Sequence, residues 1–225
     1  MNEFFKIGKL EEHFRETIGG INRDGTPHRY YPLPCKDYLL APLTFEAEKL
    51  LESNRIKVGL VVDLGSGTGK SLLKLSRHFQ APGLGLEIRT SDVEYARKFG
   101  QFLAEKHGYD EQVHFERCNI FPPELTPFLG AEAISFMQAQ MPCANITEFK
   151  SVIFDPSTVL YMYGYYDYVF LLSEYLLSHM KQKQILMLPS VQFETDTLAQ
   201  QLIARRSELD FGYLDNQCGT VLMKK

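Results

Sequence analysis

Residues 61–69 read V-V-D-L-G-S-G-T-G, and the run G-L-G-L-E-I-R at 83–89 carries an acid, Glu87. The valines and leucine of the first run predict a short buried strand, which ends in three glycines that can take backbone angles closed to other residues. In an open parallel α/β sheet, ligands bind beyond the carboxyl ends of the strands, where an acid can accept hydrogen bonds from both hydroxyls of a ribose. The two runs together therefore predict a nucleoside-binding site.

Two other glycine-rich sites compete with this interpretation. A dinucleotide site of the form G-x-G-x-x-G needs its third glycine three residues after the second, and Lys70 stands there. A phosphate-binding P-loop ends as residues 69–71 do, in G-K-S, but it requires glycine at the position of Leu64. In a P-loop the carboxylate of Asp63 would also face phosphate. Both alternatives are therefore less favoured than a nucleoside site with an acid at each strand end.

The stretch D-L-G-S-G-T-G at 63–69 resembles the S-adenosylmethionine motif of the class I, seven-strand methyltransferases. The resemblance implies S-adenosylmethionine as cofactor and S-adenosylhomocysteine as product. It also implies an α/β fold, a doubly wound Rossmann-like sheet of seven strands with helices on both faces and a small helical N-terminal extension. In that family the first acid lies near the methionine end of the cofactor, the glycines pass beneath it, and the second acid holds the ribose. On this chain these are Asp63, the loop 65–69 and Glu87.

We expect the adenine to lie at the turn after the third strand. There the side-chain oxygen of Asn119 can accept a hydrogen bond from the exocyclic amine, with Ile120 at the adenine edge and Ile88 over its other face. The expected cofactor-binding residues thus come from the ends of three strands: Asp63, Leu64, Gly65, Ser66, Gly67, Gly69, Glu87, Ile88, Asn119 and Ile120.

Composition favours a single α/β domain of 225 residues, 44% of them hydrophobic, with residues 1–54 as an extension that covers the site and 55–225 as the methyltransferase domain. No apolar run reaches the roughly 18 residues of a membrane span. The net charge of -4 gives no strong nucleic-acid signal. The four cysteines form no C-x-x-C motif, which indicates neither a disulfide framework nor a metal site. We expect a cytoplasmic protein, or a nuclear one in a eukaryote; its oligomeric state is not indicated.

Helical and strand patterns alternate along the chain, as a doubly wound sheet requires. The predicted helices are 3–17, 42–54, 69–79, 91–107 and 195–208, and the predicted strands are 59–64, 83–88, 113–120 and 184–189, followed by a terminal hairpin at 211–224. Two segments compete for the fourth strand, 151–157 and 166–172. The first is preferred, because it leaves enough residues before the next strand for a full crossover helix. It places Asp155 at the carboxyl end of that strand, beside the methyl group.

Residues 121–150 form an insertion between the third and fourth strands. Three prolines in its first seven residues lead into a short apolar helix predicted at about 131–140. Long insertions at this edge of a sheet are often lids or substrate walls. A surface decoration or a dimer contact is an equally good interpretation.

Over roughly residues 30–160 the chain resembles the non-SET histone lysine methyltransferase and its small protein-lysine methyltransferase relatives. The likeness rests on Y-Y-P-L-P at 30–34, the glycine motif, F-E-R-C-N-I-F at 115–121 and S-V-I-F-D-P-S at 151–157. It implies methyl transfer to an amine such as a protein lysine. The expected catalytic residues are Asp155, which would orient the amine or receive its proton, and Tyr30 and Tyr31, whose rings would lie over the site.

Two other functions remain open. The D-P pair at 155–156 also begins the D-P-P-Y motif of methyltransferases that act on the amino groups of bases, so the acceptor could be a nucleic-acid base or a small molecule. The third possibility is a non-catalytic member of the fold that binds a cofactor or a partner. A protein or small-molecule methyl acceptor is therefore the expected partner.

Overall fold

The computed structural model describes residues 6–7, 9–11, 13–14, 37–109, 112–163, 166–189, 209–213 and 219–225. Their strands form one sheet: β1 (Leu60–Leu64), β2 (Gly83–Glu87), β3 (Val113–Asn119), β4 (Ala144–Asn145), β5 (Thr158–Met162), β6 (Ile185–Pro189), β7 (Leu209–Tyr213) and β8 (Gly219–Lys224). The order across the sheet is β4-β3-β2-β1-β5-β6-β8-β7. The strands from β4 to β6 pair in parallel, whereas β8 is antiparallel to both of its neighbours.

This arrangement confirms the predicted doubly wound sheet of seven strands, to which the two-residue β4 adds a short edge. β1 lies in the middle, and its sequence L-V-V-D-L is buried along four of five positions. Parallel strands that are covered on both faces carry such near-continuous apolar runs. The predicted terminal hairpin is confirmed as the pair β7–β8.

The α-helices of the described residues are α1 (Asp37–Ser53), α2 (Lys70–Phe79), α3 (Thr90–His107), α4 (Ala131–Ala139), α5 (Lys150–Ile153) and α6 (Tyr166–His179). Short 3₁₀ turns span Pro123–Phe128 and Ile146–Phe149. Residues 6–7, 9–11 and 13–14 are helical, within the helix predicted at 3–17. α3 ends at Gly108 in the left-handed conformation, as the sequence predicts.

Two helix predictions have other outcomes. The helix predicted at 42–54 begins earlier, at Asp37, and runs through Pro42. Burial is the reason, since Leu39, Leu40 and Leu43 all pack into the core and hold the helix continuous across the proline. The helix predicted at 195–208 and the loop at 18–36 lie outside the described residues.

The prediction of the fourth strand was wrong for both candidate segments. The strand is β5, T-V-L-Y-M at 158–162, and all five residues are buried between β1 and β6. The candidate 166–172 lies within α6, and residues 151–153 of the other candidate belong to α5. A short apolar run does not distinguish a buried strand from a buried helix, which is why the sequence pattern failed here.

Two apolar layers cover the two faces of the sheet. One layer packs α1, α2, α3 and the N-terminal helical residues against β1, with Ile7 and Phe14 buried in it. The other packs α5, α6 and part of the insertion against the opposite face. No helix in the described ranges is both long and apolar enough to cross a membrane. Because β1, β2, β3 and β5 run parallel, their carboxyl ends all lie at one edge of the sheet.

Candidate functional site

The loop that leaves β1 carries three glycines in left-handed backbone conformations. Gly65, Gly67 and Gly69 have φ values of 81°, 51° and 79°. The first turn of the loop bends toward β2, because the backbone N–H groups of Gly65 and Ser66 both donate to the carbonyl of Leu86, at 2.8 and 3.1 Å. Residues that carry a side chain rarely adopt such φ values, so the turn requires glycine at these positions.

Close packing adds a second reason for glycine at position 69. A Cβ atom there would lie 2.5 Å from the ring of Phe115 and 2.9 Å from the Cβ of Ala96. The ring also passes Gly85 on β2, where an added Cβ would lie 2.5 Å from it. Phe115 therefore fills the space beneath the loop, and glycine at positions 69 and 85 leaves room for its ring.

Glu87, at the end of β2, holds the loop from the other side. Its Oε2 atom accepts a hydrogen bond from the backbone N–H of Gly67 at 3.0 Å, and its Oε1 atom accepts one from the backbone N–H of Arg89 at 3.0 Å. Glu87 is 7% exposed. Burial raises the pKa of Glu87, and the Arg89 and Gly67 hydrogen bonds and the Arg89 charge offset part of that rise. Each oxygen keeps a second lone pair that can accept a ligand hydroxyl.

Asp63, on β1, is the second buried acid of this edge and is 2% exposed. Its Oδ1 atom has no hydrogen-bond partner within the described part of the chain, and neither has the hydroxyl of Ser66. Burial raises the pKa of Asp63 well above its ordinary value, the charge of Glu87 raises it further, and a hydrogen bond from the Leu72 backbone opposes both. Buried polar atoms are nearly always paired in folded proteins. A polar ligand at the loop would supply the missing partners.

The three residues expected around the adenine stand at the carboxyl ends of two paired strands, Ile88 directly after β2 and Asn119 and Ile120 at the end of β3. Ile120 lies over the loop, its Cδ1 atom 3.7 Å from where a Cβ of Gly65 would stand, and Ile88 is half-buried after β2. The Oδ1 atom of Asn119 accepts a hydrogen bond from the backbone N–H of Phe121 at 3.1 Å. The side-chain oxygen that was expected to face a ligand is thus engaged in the turn, which holds the amide in one orientation.

The remaining expected site residues are placed differently. Leu64 is fully buried in the apolar layer below the sheet, so only its backbone faces the loop. Tyr30 and Tyr31 lie outside the described residues. In the described ranges no group of three or more His, Cys, Asp and Glu side chains could hold a metal ion.

The expected position of Asp155 at the carboxyl end of the fourth strand was wrong, because that strand begins only after it. Asp155 precedes β5, at the amino edge of the sheet, where the Gly59 N–H donates to the Ser157 carbonyl at 2.9 Å. Its Oδ1 atom accepts hydrogen bonds from the backbone and the hydroxyl of Ser157 at 2.8 and 2.6 Å. These bonds hold the pKa of Asp155 below its usual range. Asp155 therefore stabilises a turn.

Tyr163 is a candidate site residue that the sequence analysis did not identify, because it placed the fourth strand too early in the chain. It directly follows β5, is half-buried, and lies beside the end of β1, where Leu64 pairs with Met162. Tyr161, two residues earlier, is fully buried, and its hydroxyl lies 3.5 Å from that of Ser71 on α2. The tyrosine-rich run Y-M-Y-G-Y-Y at 161–166 could have identified Tyr163 from the sequence. The predicted fourth strand, however, ended at residue 157 and therefore placed this run outside the sheet.

The N-terminal helical residues approach the same edge. Oε2 of Glu11 lies 3.5 Å from Nζ of Lys70, the first residue of α2, and Glu11 is 4% exposed. Phe14 packs on the rings of Tyr95, Phe99 and Phe102, three of the aromatic residues of α3. The extension is thus attached to the two helices that follow the glycine loop and Glu87.

Comparisons with known proteins agree with this geometry. No protein-family model matches the chain. A lysine N-methyltransferase of Caenorhabditis elegans, named for a subunit of ATP synthase, is 29% identical over 108 residues, which are 45% of this chain and 54% of that protein. The chain therefore spans about half the length of this curated relative.

Two solved structures show the likeness in fold. A protein described as a caffeoyl-CoA O-methyltransferase from Staphylococcus aureus is 13% identical, with 97% of this chain and 92% of that one covered and a TM-score of 0.53. The ribosomal protein L11 methylase of Lactobacillus delbrueckii subsp. bulgaricus is 11% identical, with 81% and 79% covered and a TM-score of 0.50. With the strand order and the glycine loop between two acids, these likenesses show that the chain has the class I, seven-strand fold of S-adenosylmethionine-dependent methyltransferases.

Proposed function

We propose that this protein is an S-adenosylmethionine-dependent methyltransferase whose acceptor is an amine, the side chain of a protein lysine. The observation that carries the proposal is the pair of buried acids at the ends of β1 and β2, one of which holds the glycine loop while the other keeps an unpartnered oxygen among the described residues. The lysine acceptor is supported by the likeness to the C. elegans lysine methyltransferase.

The residues present fit the cofactor. The second lone pairs of the Glu87 carboxylate would receive the two ribose hydroxyls, which need acceptors at adjacent positions. Asp63 would receive the ammonium of the methionine part, whose positive charge compensates the cost of burying this acid. Ile88 and Ile120 would offer apolar surface to the adenine, and the hydrogen bond from the Phe121 N–H holds the amide of Asn119 in the turn beside Ile120.

The bound cofactor would supply an activated methyl group on a sulfonium sulfur, to be taken by the lone pair of the acceptor nitrogen, leaving S-adenosylhomocysteine. The protein then has two tasks, which are to align the acceptor and to exclude water. The acceptor amine must be neutral when it reacts, so its proton has to pass to solvent. We assign its alignment to the edge between β1 and β5, where the hydroxyl of Tyr163 would accept a hydrogen bond from the amine.

The N-terminal extension completes the site in this proposal. The Glu11–Lys70 contact sets the described residues of the extension against the start of α2, the helix that follows the loop. Residues 1–54 would cover the domain formed by 55–225, and Tyr30 and Tyr31 would bring their rings over the acceptor, where an aromatic face attracts a cation by about 0.5–2 kcal/mol.

Glu87→Ala should weaken the binding of S-adenosylhomocysteine by roughly 1.5–3 kcal/mol, because it removes the acceptors for the ribose and also the acceptor that holds the Gly67 N–H of the loop. Glu87→Gln keeps one carbonyl oxygen and should lose less. Titration calorimetry measures both affinities, with Glu94→Ala, an exposed acid of α3, as the matched control. Unchanged affinity in Glu87→Ala would remove the basis for the nucleoside site.

Asp63→Asn should make the ligand-free protein more stable and its binding of S-adenosylhomocysteine weaker. Because the pKa of Asp63 is raised in the folded state, the stability this group contributes is complete below its ordinary value of 3.8 and is lost as the pH rises through the raised value. The variant keeps an acceptor for the Leu72 N–H but has no charge to bury.

We therefore expect the melting temperature of Asp63→Asn to exceed that of the parent by a margin that grows from pH 4 to pH 8. A difference in the free energy of unfolding on the order of 1 kcal/mol corresponds to a difference in melting temperature of roughly 2–4 °C for a domain of this size. Thermal unfolding at each pH measures it, and the margin for Glu94→Ala should stay flat. A margin that is constant with pH, or that has the opposite sign, would contradict the burial cost assigned to Asp63.

The acceptor class is tested with methyl-labelled S-adenosylmethionine and a cell lysate, fractionated into protein, nucleic acid and small molecules. We expect label in protein that acid hydrolysis releases as methyl-lysine. Tyr163→Phe should reduce the rate of this labelling roughly tenfold, because it removes the proposed hydrogen bond to the acceptor amine. It should leave the affinity for S-adenosylhomocysteine unchanged.

Asp155→Ala is the matched comparison for Tyr163→Phe, since Asp155 lies at the opposite edge of the sheet. It should keep full labelling and lose a little stability through its turn. Label in nucleic acid or in small molecules would contradict the lysine acceptor. Loss of labelling in Asp155→Ala, with labelling by Tyr163→Phe unaffected, would contradict the assignment of the acceptor to the edge between β1 and β5.

A further inference from the structure

Arg117 contacts two segments that are far apart in the chain. It lies on β3, where it is paired in register with Glu87 on β2. Its Nε atom donates to the carbonyl of Ile88 at 3.3 Å, and its Nη2 atom donates to the carbonyl of Gln140. Ile88 directly follows the ribose acid, and Gln140 is the residue that ends α4 in the insertion. The half-buried guanidinium thus joins the candidate cofactor site to the insertion.

The base of the insertion is fixed separately, at the edge of the sheet. The Phe121 N–H donates to Oδ1 of Asn119, and Nδ2 of Asn145 donates to the Phe121 carbonyl, both at 3.1 Å. The pairing of Asn119 with Asn145 across β3 and β4 closes the loop between them. These contacts fix the two ends of the loop, whereas α4 lies between them. The contact at Gln140 adds an attachment at the end of that helix.

We infer that Arg117 is a positioning residue that couples occupancy of the cofactor site to the placement of the 121–145 loop; the inference rests on the proposed function. A ligand packed against Ile88 restrains its carbonyl, and the shared guanidinium passes that restraint to Gln140. Arginine suits the task because its planar group directs N–H donors from separate nitrogens at two carbonyls, whereas lysine carries all of its donors on one nitrogen at the end of a flexible stem. By thermodynamic linkage, holding α4 in place then favours the ligand.

The test is hydrogen exchange of the peptides that cover 65–69 and 131–143, with and without saturating S-adenosylhomocysteine. In the parent protein the ligand should slow exchange in both segments, in 131–143 by about fivefold or more, the low end of typical coupling between sites. In Arg117→Met and in Arg117→Lys the ligand should still protect 65–69 but no longer protect 131–143. Calorimetry on the same variants should show an affinity reduced by roughly the same factor.

Arg97→Met is the matched control. Arg97 also donates to a carbonyl of β3, that of Phe115 at 2.9 Å through Nε, but it lies on α3 and contacts neither Ile88 nor Gln140 in the described structure. It should keep ligand protection in both segments.

The two proposals fail in different ways. If the parent binds S-adenosylhomocysteine and protects 65–69, but 131–143 is unprotected or stays protected in Arg117→Met, the coupling is wrong and the proposed function stands. If the parent does not bind the ligand, both are overturned. Loss of protection in Arg97→Met as well would also overturn the specific role of Arg117, because any arginine that contacts β3 would then serve.

Discussion

The hydrogen bond between the Gly67 backbone and the Glu87 carboxylate is the contact on which the site depends. It joins the loop after β1 to the end of β2, and the two bonds to the Leu86 carbonyl reinforce it from below. These contacts give the loop a defined shape without a ligand, with three glycines in left-handed conformations, and we propose that this is the shape that binds the cofactor. Preorganisation of this kind reduces the entropy that binding must overcome. In the proposed function, one carboxylate thus serves both the fold and the ligand.

The same acid is part of an arrangement that costs stability. Asp63 and Glu87 are buried at the ends of neighbouring strands, where each loses hydration and where the charge of Glu87 raises the pKa of Asp63. A core built for stability alone would hold apolar residues at these positions. The cost is understandable at a binding site, because the Asp63 oxygen that has no partner among the described residues is available to a charged ligand group. Natural proteins commonly give up stability at functional sites in this way.

Much of the fold could be predicted from the sequence, because the decisive features are local. The glycine loop, the acid at the end of β2 and the glycine that ends α3 each depend on neighbouring residues, and the structure places all of them as expected. The fourth strand was mispredicted because its five residues lie between two other apolar runs, and only pairing with β1 and β6 selects among them. That error of a few residues placed Asp155 at the carboxyl edge of the sheet instead of the amino edge and concealed Tyr163. The contact between Arg117 and Gln140 is long-range and has no local signal.

The central claim is that the edge formed by β1, β2 and β3 is a nucleoside site shaped in advance by Glu87. A crystal structure of the protein with S-adenosylhomocysteine tests it most directly. We predict that both ribose hydroxyls lie within hydrogen-bonding distance of the Glu87 carboxylate, with the Gly67 contact retained and the loop backbone unmoved. A ligand bound elsewhere, or a loop that gives up its contact with Glu87 to admit the ligand, would contradict the account.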